Sequence, residues 1–274
     1  MSAAGAMLPD GRLHLHHGPI DLVIGAEGPG RAAAFARAAR RFRTVLEELA
    51  AELPLLRRPL EDWPEGAVAR RMARAVAPFG EVFVTPMAAV AGAVADEIAD
   101  AMRGPGVTKI HVNNGGDIAL HLEGAESVTA LSPAGEIRLT AADAGTVDGI
   151  ATSGWRGRSH SLGIADAVTV LAASAAAADV AATLVANAVD LPGHPAITRV
   201  PATTLSPDSD LGARPVTTGR GALSAACVTR ALDRGGAAAE AWRAQGLLHS
   251  TCLTLDDTHR VVGPLPALAH ALPA

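Results

Sequence analysis

Two oxygen-bearing side chains lie four residues apart in an alanine-rich segment, where they could hold a metal ion together. Asp179 and Thr183 stand in the most apolar stretch of the chain, residues 168–189. On a helix they would share one face and, with a nearby backbone carbonyl, form an all-oxygen set that suits Mg²⁺ or Ca²⁺ better than zinc. In the alternative interpretation Asp179 faces solvent and Thr183 bonds back to the preceding turn, and the spacing alone favours that alternative.

A pair of glycines is flanked by polar residues between two predicted strands. In the segment Asn114, Gly115, Gly116 and Asp117, the glycines can adopt positive φ and let the backbone approach a ligand closely. The Asn and Asp side chains could present polar groups there. The same tetrapeptide is also typical of an ordinary hairpin turn, which is the preferred interpretation without further evidence.

A third segment combines hydroxyl residues with a histidine and an acid. Thr152, Ser153 and Gly154 follow an apolar strand end, where small hydroxyl residues beside glycine can bind phosphate or ribose. His160 and Asp166 come next, and histidine titrates near neutral pH, which suits acid–base work. A Ser–His–Asp triad could also be drawn from Ser153, His160 and Asp166, but such triads are defined by geometry that a sequence does not contain.

Two motifs near the start of the chain favour structural interpretations. His14, His16 and His17 form a cluster in which the first two would share a strand face, so a metal pair is geometrically feasible. An exposed strand face is the preferred interpretation. The glycine-rich segment 25–30 has the wrong spacing for a dinucleotide or phosphate loop and predicts a turn.

The composition excludes several classes of protein. The chain has 274 residues and a net charge of −5, a single lysine (Lys109) and no tyrosine. Nucleic-acid or membrane binding is not expected, since the basic patch, the aromatic platforms and the long apolar span are missing. Without a recognisable signal peptide, we expect a cytoplasmic protein in which Cys227 and Cys252 are buried, unpaired thiols.

Hydrophobic periodicity and turn residues predict an α+β fold with mostly antiparallel sheet, since strands and helices alternate irregularly. The predicted helices cover 31–53 (ended by Pro54), 66–77, 86–102, 174–189, 222–233 and 237–245. The predicted strands cover 13–17, 20–24, 82–84, 107–112, 118–122, 127–131, 136–140, 149–152 and 167–172, with a closing pair in 248–262. The proline-rich segment 191–215 is predicted to be a loop.

Four of these segments, in this order, resemble motifs of the ApbE-type flavin transferase family. AVAGAVAD at 89–96 resembles that family's IAKGYAVD, and VTKIHVNNGGDI at 107–118 resembles its strand ending in NxGGD or NxGGE. IATSG at 150–154 resembles its ATSG segment, and DAVTVLAASAAAADVAAT at 166–183 resembles its V-T-V strand and AD(x)3T metal helix. The match runs over 85–187, and the whole chain looks most like a branch of the superfamily whose activity is not settled.

The resemblance implies a single two-lobed, T-fold-like α+β domain over 1–274 with a ligand cleft between the lobes. In the transferases, Mg²⁺ and FAD bind there, and FMN is passed to a threonine or serine of a partner protein. The metal ligands carry over to Asp179 and Thr183, and the catalytic positions to His160 and Asp166. The implied cofactor-binding residues are Asn114, Gly115, Gly116, Asp117, Thr152, Ser153 and Gly154.

The chain also departs from the family pattern. Ala91 and Ala93 stand where the family has lysine and tyrosine, and the family's HxxDPxTG is replaced by residues 160–166, in which the acid has moved to Asp166. These differences predict a retained metal or phosphate site with a changed ligand. We therefore expect a divalent-metal-dependent enzyme for a phosphate-bearing small molecule such as FAD or FMN. The alternatives are a non-catalytic binding or assembly protein and a serine hydrolase, and the apolar face of 86–102 could serve a homodimer.

Overall fold

The computed structural model describes residues 3–133, 135–157, 159–265 and 268–269. The helices are α1 Arg31–Leu56, α2 Ala67–Val76, α3 Val90–Met102, α4 Ala175–Ala188, α5 Ala202–Leu205 and α6 Ala225–Ala244, with 3₁₀ turns at Ala77–Phe79 and Pro86–Ala89. The strands are β1 Ala4–Met7, β2 Leu13–His17, β3 Ile20–Glu27, β4 Lys109–Asn114, β5 Asp117–Leu122, β6 Ser127–Ser132, β7 Gly135–Thr140, β8 Gly149–Ser153, β9 Ala167–Ala172, β10 Ile197–Pro201, β11 Pro215–Arg220, β12 Ser250–Leu255, β13 Thr258–Val262 and β14 Leu268–Ala269.

The described residues divide into two compact units. The first contains those of 1–128, 139–151 and 172–180, and the second those of 129–138, 152–171 and 181–274. The first unit therefore holds β1 to β5 with α1 to α3 and the start of α4. The second holds most of α4 together with β9 to β13 and α6. The ligand cleft that the resemblance implies stays a prediction.

In the first unit, β1 to β5 form an antiparallel meander in chain order. The start of β8 continues it, pairing Gly149 and Ile150 with β5. Burial alternates along β2, as expected for a strand with one face on the core. Helix α3 packs on β4 and β5 and against α1, which places its first turn beside the β4–β5 turn.

Helix α1 is longer than the sequence predicts. Its buried residues recur at helical spacing along one stripe, from Ala34 through Phe42 to Leu49. The predicted end at Pro54 is wrong, because the helix continues through this proline to Leu56. A proline in the last turn removes only one donor, and Leu56, which is fully buried, fixes that turn against the core.

In the second unit, β12 pairs antiparallel with both β9 and β13, and β10 pairs with β11. Helix α6 packs on β12 and β13. Its two glycines allow close packing. A Cβ at Gly235 would lie 2.3 Å from Val189, which follows α4, and 2.8 Å from Leu253 of β12, and a Cβ at Gly236 would lie 2.6 Å from the side chain of Arg260 in β13. The predicted break between two helices at these glycines is wrong, because α6 is continuous.

Two other predicted elements differ from the structure. Residues 82–84 do not form a strand, since this short apolar run finds no neighbouring strand among the described residues. The predicted loop 191–215 contains β10, α5 and the start of β11. Their prolines, Pro201 and Pro215, face each other at the end of the pair that residues 202–214 connect, and each lies at a strand terminus, where a missing N–H does least harm.

The predicted α+β class is confirmed. The strand pairings described above all run antiparallel, and helices pack against the sheet in both units. No helix in the described parts of the chain has the length and apolarity that crossing a membrane requires.

Candidate functional site

The glycine pair forms the turn between β4 and β5. Asn114 and Asp117 are the last paired residues of the hairpin, and φ is +68° at Gly115 and +116° at Gly116. The amide of Gly116 donates to Asn113 Oδ1 at 2.8 Å, which fixes the turn. The hairpin interpretation is therefore confirmed. It leaves a ligand role open, since a Cβ at Gly116 would meet nothing within 4 Å.

The residues that flank this turn reach the first turn of α3. Asn114 is 5% exposed, and its Nδ2 donates to the carbonyl oxygen of Ala91 at 3.0 Å. This bond ties the end of β4 to the helix. The carboxylate of Asp117, at the start of β5, acts electrostatically on Asp179.

Asp179 is turned toward α3 and does not stand free in solvent. Its Oδ2 accepts the backbone N–H of Gly92 at 3.0 Å, and its side chain is partly buried. Burial is the main cause that raises the pKa of Asp179 well above its ordinary value, and the charge of Asp117 adds to it. The N–H groups of Gly92 and Ala91 act in the opposite direction and do not offset these effects. The solvent-facing alternative for Asp179 is wrong.

Thr183 lies on the same helix, one turn after Asp179, and is half-buried. Among the described residues, no three His, Cys, Asp or Glu side chains converge as a metal cluster. The pair Asp179 and Thr183 therefore stays a prediction as a metal site. A carboxylate and a hydroxyl are hard oxygen donors of the kind that Mg²⁺ takes. The donor chemistry thus fits a divalent cation.

Sequence reasoning missed the role of Asp96 in this site. Its two carboxylate oxygens accept the N–H groups of Ala175 and Ala176, each at 2.9 Å, at the start of α4. Burial raises the pKa of Asp96 to about 6, although both hydrogen bonds act to lower it. The only signal in the sequence is the aspartate of the AVAGAVAD segment, which by itself does not reveal a partner 79 residues away.

The residues around Gly92 show what replaces the family's lysine and tyrosine. A Cβ at Gly92 would lie 2.2 Å from the carbonyl oxygen of Ala175, so α3 and α4 touch backbone to backbone here. Ala93 is fully buried, and Ala91 is only half-buried. The methyl group of Ala93 is therefore part of the packing around α3.

The hydroxyl segment that follows β8 lies in the second unit. Thr152 is exposed and its Oγ1 is 2.9 Å from that of Thr169, and Ser153 is half-buried. A Cβ at Gly154 would lie 2.4 Å from the carbonyl oxygen of Asp166, so this glycine serves a close backbone approach. The predicted ligand role of these residues stays a prediction.

Asp166 is held by donors from several segments. Its Oδ1 accepts from Trp155 Nε1 at 3.1 Å, and its Oδ2 accepts from the N–H of Asp256 at 2.8 Å and from Arg220 at 3.2 Å. The Arg220 side chain is 5% exposed and also bonds Asp256 at 2.6 Å. The exposed Arg156 adds a further ion pair at 3.5 Å. This carboxylate therefore joins β9, β11 and the β12–β13 turn.

His160 has a different neighbour, Ser206, whose Oγ is 3.3 Å from Nε2. Since Asp166 bonds to Trp155, Arg220 and Asp256, the described residues do not form the hydrogen-bond chain of a Ser153–His160–Asp166 triad. The acid–base role of His160 stays a prediction.

The remaining motifs have structural surroundings. His14 Nε2 lies 2.8 Å from Asp21, His16 is exposed, and His17 is buried on the opposite face. The strand interpretation of this cluster therefore fits. Cys252 is buried as predicted, whereas Cys227 is half-buried at the start of α6 and is a free thiol.

Comparison with known proteins gives matches over most of the chain. A family model described as AbpE bacteria matches residues 5–261. A UPF0280 protein of Methanopyrus kandleri is 37% identical over 177 residues, which cover 61% of this chain and 69% of that protein. A UPF0280 protein of Methanosarcina acetivorans is 34% identical over 178 residues, covering 62% and 69%. The apo structure of the flavinyl transferase ApbE of Pseudomonas stutzeri aligns with a TM-score of 0.46 and 11% identity, over 95% of this chain and 93% of that one.

Proposed function

This chain belongs to the AbpE bacteria family, within the ApbE-like superfamily, and on that premise we propose a divalent-metal-dependent enzyme that acts on a phosphate-bearing small molecule. The superfamily predicted from the four motifs is confirmed by the family match. The metal dependence and the substrate class are our proposal. Flavin nucleotides are the first ligands to test, because the neighbour from Pseudomonas stutzeri is a flavinyl transferase by name.

The observation that carries this proposal is the placement of the Asp179 carboxylate, which is partly buried and accepts the Gly92 N–H at 3.0 Å. Burial and the negative charge of Asp117 raise its pKa, so its ionised form is costly without a counter-charge. A divalent cation at this position would reverse the cost, because it favours the ionised form of both Asp179 and Asp117. Thr183, one turn further on, would add a neutral oxygen.

Bound there, the cation would neutralise a phosphate group and make its phosphorus easier to attack. The chain's own residues would bind and orient the phosphate. The open Gly115–Gly116 turn would let a phosphate approach the backbone, and Asp117 and Asp179 would orient it through the cation. His160 is the proposed proton donor or acceptor, since an imidazole can both take up and release a proton.

A second candidate, a binding protein without group transfer, is favoured by residues 91 and 93. The cation and the aromatic ring expected at these positions are replaced by methyl groups, and Ala93 is fully buried. Such a protein would bind the metal and a phosphate ligand without turnover. The homodimer and the cytoplasmic location also stay predictions.

Metal-dependent stabilisation tests the proposal. We expect Mg²⁺ in millimolar excess to raise the Tm by several degrees, because a ligand that binds only the folded state stabilises it. Asp179→Asn should abolish this shift. Asp190→Asn is the matched control: it lies just after α4 and pairs with Arg199, so it should leave the Mg²⁺ response intact.

Adding FAD or FMN with Mg²⁺ then identifies the ligand. A further shift that requires both components would support a flavin nucleotide, and ADP or pyrophosphate in its place would point to the phosphate part alone. The absence of any Mg²⁺, Mn²⁺ or Ca²⁺ response in the unmodified protein would contradict the metal site.

A further inference from the structure

Helices α3 and α4 cap each other with aspartates from their interiors. Asp96 of α3 accepts the first N–H groups of α4, at Ala175 and Ala176, while Asp179 of α4 accepts the N–H of Gly92 in the first turn of α3. We call this arrangement the reciprocal cap. The first N–H groups of a helix lack acceptors within it and favour negative charge. Each aspartate therefore supplies an acceptor to the start of the other helix.

We infer that Asp96 is a positioning residue for the Asp179 carboxylate: by holding the first turn of α4, it sets where Asp179 meets the N–H of Gly92. This inference deepens the proposed function and rests on it, because only that function gives the Asp179 carboxylate a role in metal binding. The geometric part, that Asp96 controls the position of Asp179, stands on the reciprocal cap alone.

Stabilising α4 does not by itself require Asp96. Ser174 precedes the helix, and its Oγ accepts the N–H of Ala177 at 3.2 Å, as a serine at an N-terminus commonly does. The burial of Asp96 also works against folding, since a cap that only stabilises lowers the pKa of its carboxyl, whereas the pKa of Asp96 is raised to about 6. A buried carboxylate retained at such a cost is more useful for fixing a position than for stability.

Two glycines show how narrow the permitted position of α4 is. A Cβ at Gly92 would lie 2.2 Å from the carbonyl oxygen of Ala175, and one at Gly149 would lie 2.1 Å from the carbonyl carbon of Ser174. The start of α4 is thus in backbone contact on two sides. Asp96 supplies the directional bonds that fix its orientation, and Asp179 lies only one turn further along the same helix.

Amide hydrogen exchange followed by NMR tests the inference independently of any metal. Asp96→Asn keeps the shape of the side chain but has one acceptor oxygen instead of two. We expect exchange at Gly92 to accelerate by about tenfold or more, because its acceptor, Asp179, shifts with α4. Ser174→Ala, which removes the local cap of α4, and Asp100→Asn, one turn along α3, are the matched controls and should leave Gly92 unchanged.

The outcomes separate the two proposals when Mg²⁺ affinity is measured in the same variants. Faster exchange at Gly92 with weaker Mg²⁺ binding in Asp96→Asn supports both. Faster exchange at Gly92 in a protein that binds no divalent cation supports the positioning role and contradicts the proposed function. Faster exchange confined to Ala175 and Ala176 makes Asp96 a simple cap and overturns the inference. If Asp96→Asn does not fold, Asp96→Glu keeps the charge, displaces it by one methylene and should show the same effect at Gly92.

Discussion

Two aspartates of this chain have opposite surroundings, although the sequence predicts both for the functional site. Asp166, in the second unit, accepts from Trp155, Arg220 and the backbone of Asp256. Asp179, in the first unit, accepts from Gly92 while the negative charge of Asp117 acts on it. A carboxylate surrounded by cations and donors is already compensated by the protein. One that is partly buried and subject to the charge of another carboxylate is costly to ionise, and this cost is what the proposed metal ion would relieve.

These surroundings indicate a structural role for Asp166 and distinguish it from Asp179, which the motifs do not. Asp166 is the residue by which this chain departs from the family pattern, and its partners tie three strands together. Asp179 keeps the family's spacing to Thr183 and carries an electrostatic cost. That cost is expected at a binding site and is hard to explain as a contribution to stability.

The largest expected effects come from glycines that bring backbones together in each region. Gly92→Ala would set a Cβ 2.2 Å from the Ala175 oxygen, and Gly154→Ala would set one 2.4 Å from the Asp166 oxygen. Each should lower the free energy of unfolding by about 3 kcal/mol, measured by urea denaturation. Only Gly92→Ala should also remove the Mg²⁺ response. Equal loss of the Mg²⁺ response in both variants would contradict the proposal that only the region around Asp179 binds the metal.

Neutralising the two aspartates should change stability in opposite directions. Asp166→Asn leaves the buried Arg220 with a weaker partner and should lower the free energy of unfolding by about 2 kcal/mol. Asp179→Asn removes a charge that is costly to bury and should raise the free energy of unfolding at pH 8. Urea unfolding of both variants beside the unmodified protein measures this.

The pH dependence of that gain follows from the raised pKa of Asp179. A carboxyl whose pKa is higher in the folded state binds its proton more readily there, so its cost to stability is present above the folded pKa and is relieved as the pH falls through it. The advantage of Asp179→Asn should therefore shrink as the pH falls from 8 through the raised pKa of Asp179. A destabilised Asp179→Asn variant at pH 8 would contradict this account.

The smallest effect is expected at Asp256, a non-glycine residue with φ of +51°. Asp256→Asn keeps an acceptor for Arg220, and asparagine tolerates this backbone conformation, so the free energy of unfolding should change by no more than about 0.5 kcal/mol. Asp256→Val, which loses the acceptor and is strained at positive φ, should cost about 2 kcal/mol. Similar values for both variants would show that the turn does not depend on this residue.

Local sequence signals were sufficient for much of the fold. Strand β9 has the predicted bounds, since its six residues are all buried and flanked by clear breaks. Helices α1 and α6 were misjudged at Pro54 and at Gly235–Gly236. There, burial of Leu56 and close packing against Val189 outweigh the local preference of proline and glycine.

The candidate site was harder to predict from the sequence than the fold, because its contacts join residues far apart in the chain. Spacing alone put Asp179 and Thr183 on one helix, but it favoured a solvent-facing Asp179. The contact that decides otherwise comes from Gly92, which is 87 positions away. The same holds for Asp166, whose partners Arg220 and Asp256 are 54 and 90 positions away. No local pattern could reveal that Asp166 has cationic partners and that Asp179 is bound by a backbone N–H.

The reciprocal cap also bears on the order of events in folding. Its bonds join residues 79 to 87 positions apart, so a long loop must close before any of them forms. The helices themselves need only local contacts and can form earlier. We therefore expect the cap to be completed after the transition state, so that changes to it alter the unfolding rate and leave the folding rate nearly unchanged. The site would then be assembled last and opened first.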